Sequence, residues 1–178
     1  MWLWLDQRRA RWVELDRALA RLLHRGAAWP LLLLVLVGAS RLGDGLLWYA
    51  IMVALPMLSG PHGWYAALQM AGVGLANLII YSRLKHRIGR PRPFVHCPDI
   101  RACARALDQF SFPSGHTLHA VAFSLLLTHH YPALAVPLWL YTGLIAVSRV
   151  VLGLHYPSDV GVGAAIGALT AGIAIAWG

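Results

Sequence analysis

From residue 27 to the end of this 178-residue chain, apolar runs alternate with short polar breaks. The runs are Ala27–Ser40, Leu46–Leu58, Trp64–Leu84, Thr117–Thr128 (reaching back to about Ser114), Ala133–Val151 and Val160–Trp177. A helix needs about 20 residues to cross the hydrocarbon core. The third, fifth and sixth runs meet that length, and the first two must borrow flanking residues. Backbone groups in lipid have to be bonded within their own segment, so the runs predict helices. The pattern predicts an all-α, polytopic membrane helix bundle with about six transmembrane helices. Ahead of it, Leu5, Trp12, Leu15, Leu19 and Leu22 recur at helical spacing among Arg, Asp and Glu. This predicts an amphipathic interfacial helix over residues 1–25, with Trp2, Trp4 and Trp12 at headgroup level. A coil or an oligomerisation segment is the alternative. Residues 26–178 form the membrane domain, and its polar segment spans about 83–113.

Composition supports lipid as the solvent. Hydrophobic residues make up 58% and charged residues 12%, where a soluble domain carries about 25% charged residues. Mean hydropathy is +0.60. The formal charge of +8 is not spread evenly. Residues 1–25 hold six Arg, residues 83–105 hold six Arg and one Lys, and Arg41 and Arg149 complete the set. Two basic blocks separated by apolar runs fit membrane edges and an anionic ligand, not nucleic acid. Residues 1–25 are charged throughout, so a cleavable signal peptide is not expected. Cys97 and Cys103 share the polar segment. They would be oxidisable outside the cytoplasm, and their spacing does not decide whether they pair.

Three polar clusters interrupt the apolar pattern. Lys85–Pro93 ends the third run, Pro113–His116 opens the fourth, and Ser148–Asp159 lies between the fifth and sixth. The chain leaves the membrane after the third run and re-enters at the fourth. The fourth and fifth runs form a hairpin near His129–Pro132. All three clusters therefore reach one membrane face, bringing together Lys85, Arg92, Arg149, His116, His155 and Asp159. Segment 83–112 carries seven positive residues against Asp99 and Asp108. Such a site favours an anion with several oxygens, and Arg suits bidentate contact with phosphate. Ser114 is a good helix N-cap, and Gly115 allows close approach to the backbone. Pro157 suits the first turn of the last helix. A helix N-terminus offers free N–H groups to phosphate.

Lys85 to Arg92-Pro93 fits KxxxxxxRP, Pro113–His116 reads PSGH, and Ser148–Asp159 fits SRxxxxxHxxxD. The three motifs, intact and in order, resemble the signature of the type 2 phosphatidic acid phosphatase superfamily, which includes vanadium haloperoxidases. The resemblance covers about residues 45–175. It implies a lipid phosphatase in which His155 accepts the phosphoryl group and Asp159 orients it. His116 would protonate the leaving alkoxide and then activate water. Lys85, Arg92, Arg149, Ser114 and Gly115 would bind phosphate. Imidazole is nucleophilic when neutral and titrates near neutrality. Three fixed cations would supply charge stabilisation without a metal or cofactor, and the clusters hold too few carboxylates for two metal ions. The expected partners are a lipid phosphate substrate and membrane lipids, not nucleic acid; the oligomeric state is unknown.

Other readings attach to the same residues. The same phosphohistidine chemistry serves a lipid phosphotransferase, and a non-catalytic lipid-binding or transport protein is a reading of another class. Soluble haloperoxidase relatives make that activity a poor fit. His116 and His155 lack metal-ligand spacing for zinc. Arg87 and Arg90 read as headgroup anchors. His86, His96, His119, His129 and His130 read as interfacial or packing residues. Asp44 and Asp108 could touch the site, with no motif to give them a role. With six spans, both termini would share one side. The N-terminal arginines would then place the termini in the cytoplasm and the site on the extracytoplasmic face of the cell (inner) membrane.

Overall fold

A computed structural model describes the backbone of residues 2–177 and the side chains of residues 10–177. The side chains of Leu5, Trp2 and Trp4 lie outside the described residues. The helices are α1 (Trp2–His24), α2 (Pro30–Leu42), α3 (Leu46–Ile88), the short α4 (Pro93–His96), α5 (Gly115–His130), α6 (Ala135–Val151) and α7 (Pro157–Trp177). Proline opens α2, α4 and α7, where a missing N–H costs nothing. No strand forms among the described residues.

The long α3 is two limbs. Gly60 has φ 55° and ψ −133° and precedes Pro61, so helical geometry breaks there. The Leu55 carbonyl lies so close to Gly63 that a Cβ on Gly63 would sit 1.9 Å away. Eight residues of straight helix would separate the two by about 12 Å. Limbs 46–59 and 61–88 therefore fold back on each other, matching the second and third apolar runs.

Around these limbs, α5 is the centre of the bundle. Leu118, Ala120, Ala122, Leu126 and Leu127 are buried on every side of it. A helix that is apolar all round belongs inside. Its polar Ser124 meets Thr142 of α6 at 2.7 Å. Against α5 runs a stripe of small residues on α7, Gly163, Gly167 and Ala171, all buried. A Cβ on Gly167 would stand 2.2 Å from the Leu118 carbonyl oxygen, and one on Gly163 2.6 Å from that of Ser114. Spacing of four small residues lets two backbones approach this closely. Gly167→Val is expected to lower stability by about 1–3 kcal/mol or more through overpacking, read by thermal unfolding in detergent.

Among the described residues, Leu46–Ile88, Pro132–Val151 and Pro157–Trp177 are long and apolar enough to cross a membrane. A fourth would be the pair Ala10–Ala28 and Pro30–Leu42, taken together despite a 111° bend.

One expectation is corrected. The N-terminal helix does not lie on the face opposite the clusters. Asp16 of α1 bonds Arg90 at 2.6 Å and the Ser158 backbone N–H at 3.0 Å. His24 donates from Nδ1 to the Val151 carbonyl at 2.8 Å. The reason lies in α2, a helix of 13 residues that starts and finishes on one side. Gly26, just before α2, packs on Val151, and Gly43, just after it, packs on Ile145. Both ends of α2 therefore meet the same end of α6. The chain's other end lies far from this face: Ala174 accepts a bond from Gln69, which also meets His130 at the far end of α5. The parity that placed both termini on one side thus fails for the N-terminus.

Candidate active site

The ends of α3, α5, α6 and the start of α7 meet at one end of the bundle around a cavity of about 390 Å³. Lys85, Arg92, Gly115, His116, Arg149 and His155 line it. Ser114 and Asp159 are fully buried and do not. Ser114 caps α5 through the Thr117 N–H at 3.5 Å and contacts the Thr117 hydroxyl at 3.0 Å. Its hydroxyl thus serves the helix start.

His155 sits in the turn between α6 and α7 and is almost wholly buried. Arg92 Nη1 lies 3.3 Å from His155 Nε2. Guanidinium only donates, so Nε2 must accept and the ring proton is on Nδ1. Nδ1 faces Asp159 Oδ2 at 3.7 Å, an ion-pair separation longer than a hydrogen bond. Burial holds the His155 pKa well below 6.5, reinforced by the positive charges of Arg149, Arg92 and Lys85. The ring is therefore neutral, with the Nε2 lone pair turned toward the cations.

His116 Nε2 is bonded to Asp44 Oδ1. An ionised carboxylate only accepts, so His116 carries its proton on Nε2. That bond is the main cause of an Asp44 pKa below the usual carboxylate value. Asp44 lies in the polar break between α2 and α3. A lone carboxylate there was the available signal, and sequence alone gave it no partner.

The cations are held by groups that no motif contains. Lys85 donates to both oxygens of Asp108 at 2.8 and 2.7 Å and to the Phe110 carbonyl at 3.1 Å. Arg92 donates from Nη2 to Asp108 Oδ1 at 2.8 Å and from Nε to the Asp108 carbonyl at 3.0 Å. It also reaches the Leu154 carbonyl at 2.8 Å. Arg149 Nη1 meets Ser40 at 2.5 Å, while its buried Nε finds no partner among the described residues. Despite partial burial, the Asp108 pKa falls below its usual value under the bonds and charges of Lys85 and Arg92.

Arg90 is not a headgroup anchor. It donates to Asp159 Oδ1 at 2.7 Å, to Ser158 at 2.7 Å and to Asp16 at 2.6 Å. Its guanidinium lies 4.0 Å from the Tyr156 ring centre. The carboxylate behind His155 thus has Arg90 and the Tyr156 N–H as its partners, the latter at 2.8 Å. Arg90→Ala is expected to lower stability by about 3 kcal/mol by leaving Asp159 buried without its cation. Denaturant unfolding of the purified protein measures it. Cys97 and Cys103 are free thiols.

The far wall of the cavity is apolar and comes from both limbs of α3 and from α5: Trp48, Met52, Ala71, Leu75, Leu78 and Phe123. Leu75, Leu78 and Tyr49 line the cavity and are also exposed on the outside of the bundle. The cavity therefore joins a cationic end to the lateral surface.

The chain is similar to several known proteins. The chain is 34% identical over 139 residues to decaprenylphosphoryl-5-phosphoribose phosphatase of Mycobacterium tuberculosis, covering 76% of this chain and 75% of that protein. It is 29% identical to undecaprenyl-diphosphatase BcrC of Bacillus subtilis, covering 83% and 74%. The crystal structure of Aquifex aeolicus LpxE superposes with a TM-score of 0.79 at 27% identity, covering 89% of this chain and 93% of that one. A PAP2-type phosphatidylglycerolphosphate phosphatase from Bacillus subtilis shares the fold, with a TM-score of 0.71 at 23% identity over 90% and 84%. The family model for the PAP2 superfamily matches residues 63–178. That stretch carries the second limb of α3, all three polar clusters and the helices that gather them, and the chain belongs to the PAP2 superfamily.

Proposed function

We propose that this protein is an integral membrane lipid phosphatase that hydrolyses phosphate monoesters or diphosphates of lipids through a phosphohistidine. Undecaprenyl pyrophosphate, phosphatidate and phosphatidylglycerophosphate are the substrate types. One observation carries the reading: the cavity is cationic at one end and apolar at the other, and the apolar end opens on the lateral surface. A phosphate with a lipid tail fits both ends; a soluble ester uses only one. Family membership and the names of the relatives support the same class.

In the proposed reaction, His155 Nε2 attacks phosphorus. Lys85, Arg92 and Arg149 neutralise the equatorial oxygens, where phosphoryl transfer needs charge stabilisation. Asp159 favours the cationic ring that forms. For this step His116 carries protons on both ring nitrogens, a cation paired with Asp44; it exchanges that carboxylate for the leaving oxygen, gives it the Nε2 proton and is left neutral. It then takes a proton from water, which attacks the phosphohistidine and frees phosphate and His155. The three cations do the work for which other phosphatases use metal ions. Purified protein is therefore expected to release phosphate without added divalent metal, and vanadate to inhibit it. A release panel across lipid monophosphates and diphosphates tests activity and substrate together; no release from any of them rejects the reading.

The pH profile is a second test. A lowered His155 pKa keeps the nucleophile neutral as pH falls through 6.5. The acid limb of kcat/KM is therefore expected below pH 6.5; a limb at or above it contradicts a desolvated nucleophile.

We further propose that residues 1–25 form an interfacial helix on the site's face. Trp12, Leu15, Leu19 and Leu22 expose an apolar stripe there. The six-run reading becomes five crossings, with α2 dipping in from the site side. An extracytoplasmic site then requires a cytoplasmic C-terminus, and a fluorescent C-terminal GFP fusion supports it. An active periplasmic reporter at that end puts the site in the cytoplasm, the side that the Lys and Arg on its face favour.

A further inference from the structure

The phosphate cations of this site are already occupied by a carboxylate of the chain itself. Lys85 and Arg92 are buried, yet both direct their donors at Asp108, with three contacts of 2.7–2.8 Å to its two oxygens. Those are the donors that a phosphate needs. Among the described residues, Lys85 and Arg92 alone hold the carboxylate of Asp108. Its side chain is 39% exposed, and it lies in irregular chain between α4 and α5 beside the exposed Leu107. The site's third cation behaves differently: Arg149 is 2% exposed, and its Nε has no partner among the described residues. A buried guanidinium N–H without an acceptor leaves a donor unsatisfied. The cavity is thus lined by Arg149, which bonds Ser40 and no carboxylate among the described residues, and by a pair of cations bridged by a displaceable carboxylate.

We propose that Asp108 is a specificity-determining residue: its carboxylate stands in for phosphate oxygens on Lys85 and Arg92, and a substrate must displace it. This rests on the phosphatase reading of the same cavity. The selectivity follows from charge. A terminal phosphate carries up to two negative charges and three acceptor oxygens. It can engage the Arg149 guanidinium first and then replace both oxygens of Asp108 on the other two cations. A phosphodiester carries one charge and two free oxygens, so it exchanges one carboxylate for an anion of equal charge and gains little. Asp108 therefore excludes the diester phosphates that make up the surrounding bilayer and admits terminal mono- and diphosphates. A residue that merely orients Lys85 and Arg92 would have the opposite signature, because its removal would weaken phosphate.

Asp108→Asn keeps the shape and removes the charge. With purified full-length protein in detergent, orthovanadate is expected to bind the variant about tenfold more tightly than wild type, the equivalent of one charge-assisted hydrogen bond no longer contested. Thermal-shift titration reads this without any turnover. Dimethyl phosphate, a singly charged diester, is expected to shift the variant and not the wild type. Unchanged or weaker vanadate binding in the variant, or equal response of both proteins to the diester, overturns the proposal. If the variant does not fold, hydrogen–deuterium exchange of wild type decides. Vanadate is expected to speed exchange across residues 105–111, and slowed or unaltered exchange overturns the displacement. A wild type that binds vanadate but hydrolyses no lipid phosphate rejects the enzymatic reading while leaving this test intact.

Discussion

His155→Ala is expected to reduce phosphate release by at least about 10⁴-fold, to the level of residual binding and electrostatic effects. The loss is large because the step has no substitute. Among the described residues lining the cavity, His116 and His119 are the other imidazoles. His116 has its proton on the nitrogen that meets Asp44, and the His119 ring nitrogens face the backbone carbonyls of Gly115 and Gly74, to one of which the ring donates. Among the described residues, His155 is the imidazole that bonds Arg92. Removing a buried ring also opens a void, so the variant is to be checked by thermal unfolding and by vanadate binding. A folded, vanadate-binding and inactive variant isolates the nucleophile. Full activity in it would remove His155 from the mechanism.

His116→Gln is expected to lower turnover of lipid monophosphates by about 10²–10⁴-fold, the usual contribution of a positioned acid–base. The size should depend on the leaving group. An alkoxide leaves badly without a proton, whereas a phosphate leaving from a diphosphate is far less basic. The variant should therefore retain more of its first step on diphosphates and on aryl phosphates. Its second step still lacks a base for water, so phosphohistidine should accumulate. Rapid-quench kinetics with an aryl phosphate should show a burst of one product per enzyme, then slow turnover. An equal loss on all leaving groups, with no burst, would mean that His116 serves binding alone. Asp44→Asn should give a weaker version of the same pattern, because it removes the group that fixes the His116 tautomer and leaves the ring in place.

The motifs made much of the site legible in the chain. Periodicity placed the helix ends, and polar residues inside apolar sequence stood out because lipid penalises them. Lys85, Arg92, His116, Arg149 and His155 needed nothing more than the hairpin of α5 and α6 to be brought together. Ser114 caps α5, as its side-chain type predicts. Arg90 was misread because a lone arginine at a membrane edge has the same local appearance whether it meets lipid headgroups or a buried carboxylate. Asp44 and Asp108 could be named as neighbours of the site but given no partners, for a related reason: each lies in a polar break, where a carboxylate needs no explanation.

The chain by itself determined the solvent, the helical class, the order of the polar clusters and the residues that can carry phosphoryl chemistry. These follow from local rules of hydropathy, capping and side-chain type. Only the tertiary structure decided that both ends of α2 meet α6 on one side, that α1 packs at the site's face, and that two aspartates outside the motifs bond the cations and His116. Those outcomes depend on contacts between residues 16 and 90, 44 and 116, and 85 and 108. Ion pairing is set by distance in space, and separation along the chain carries no trace of it.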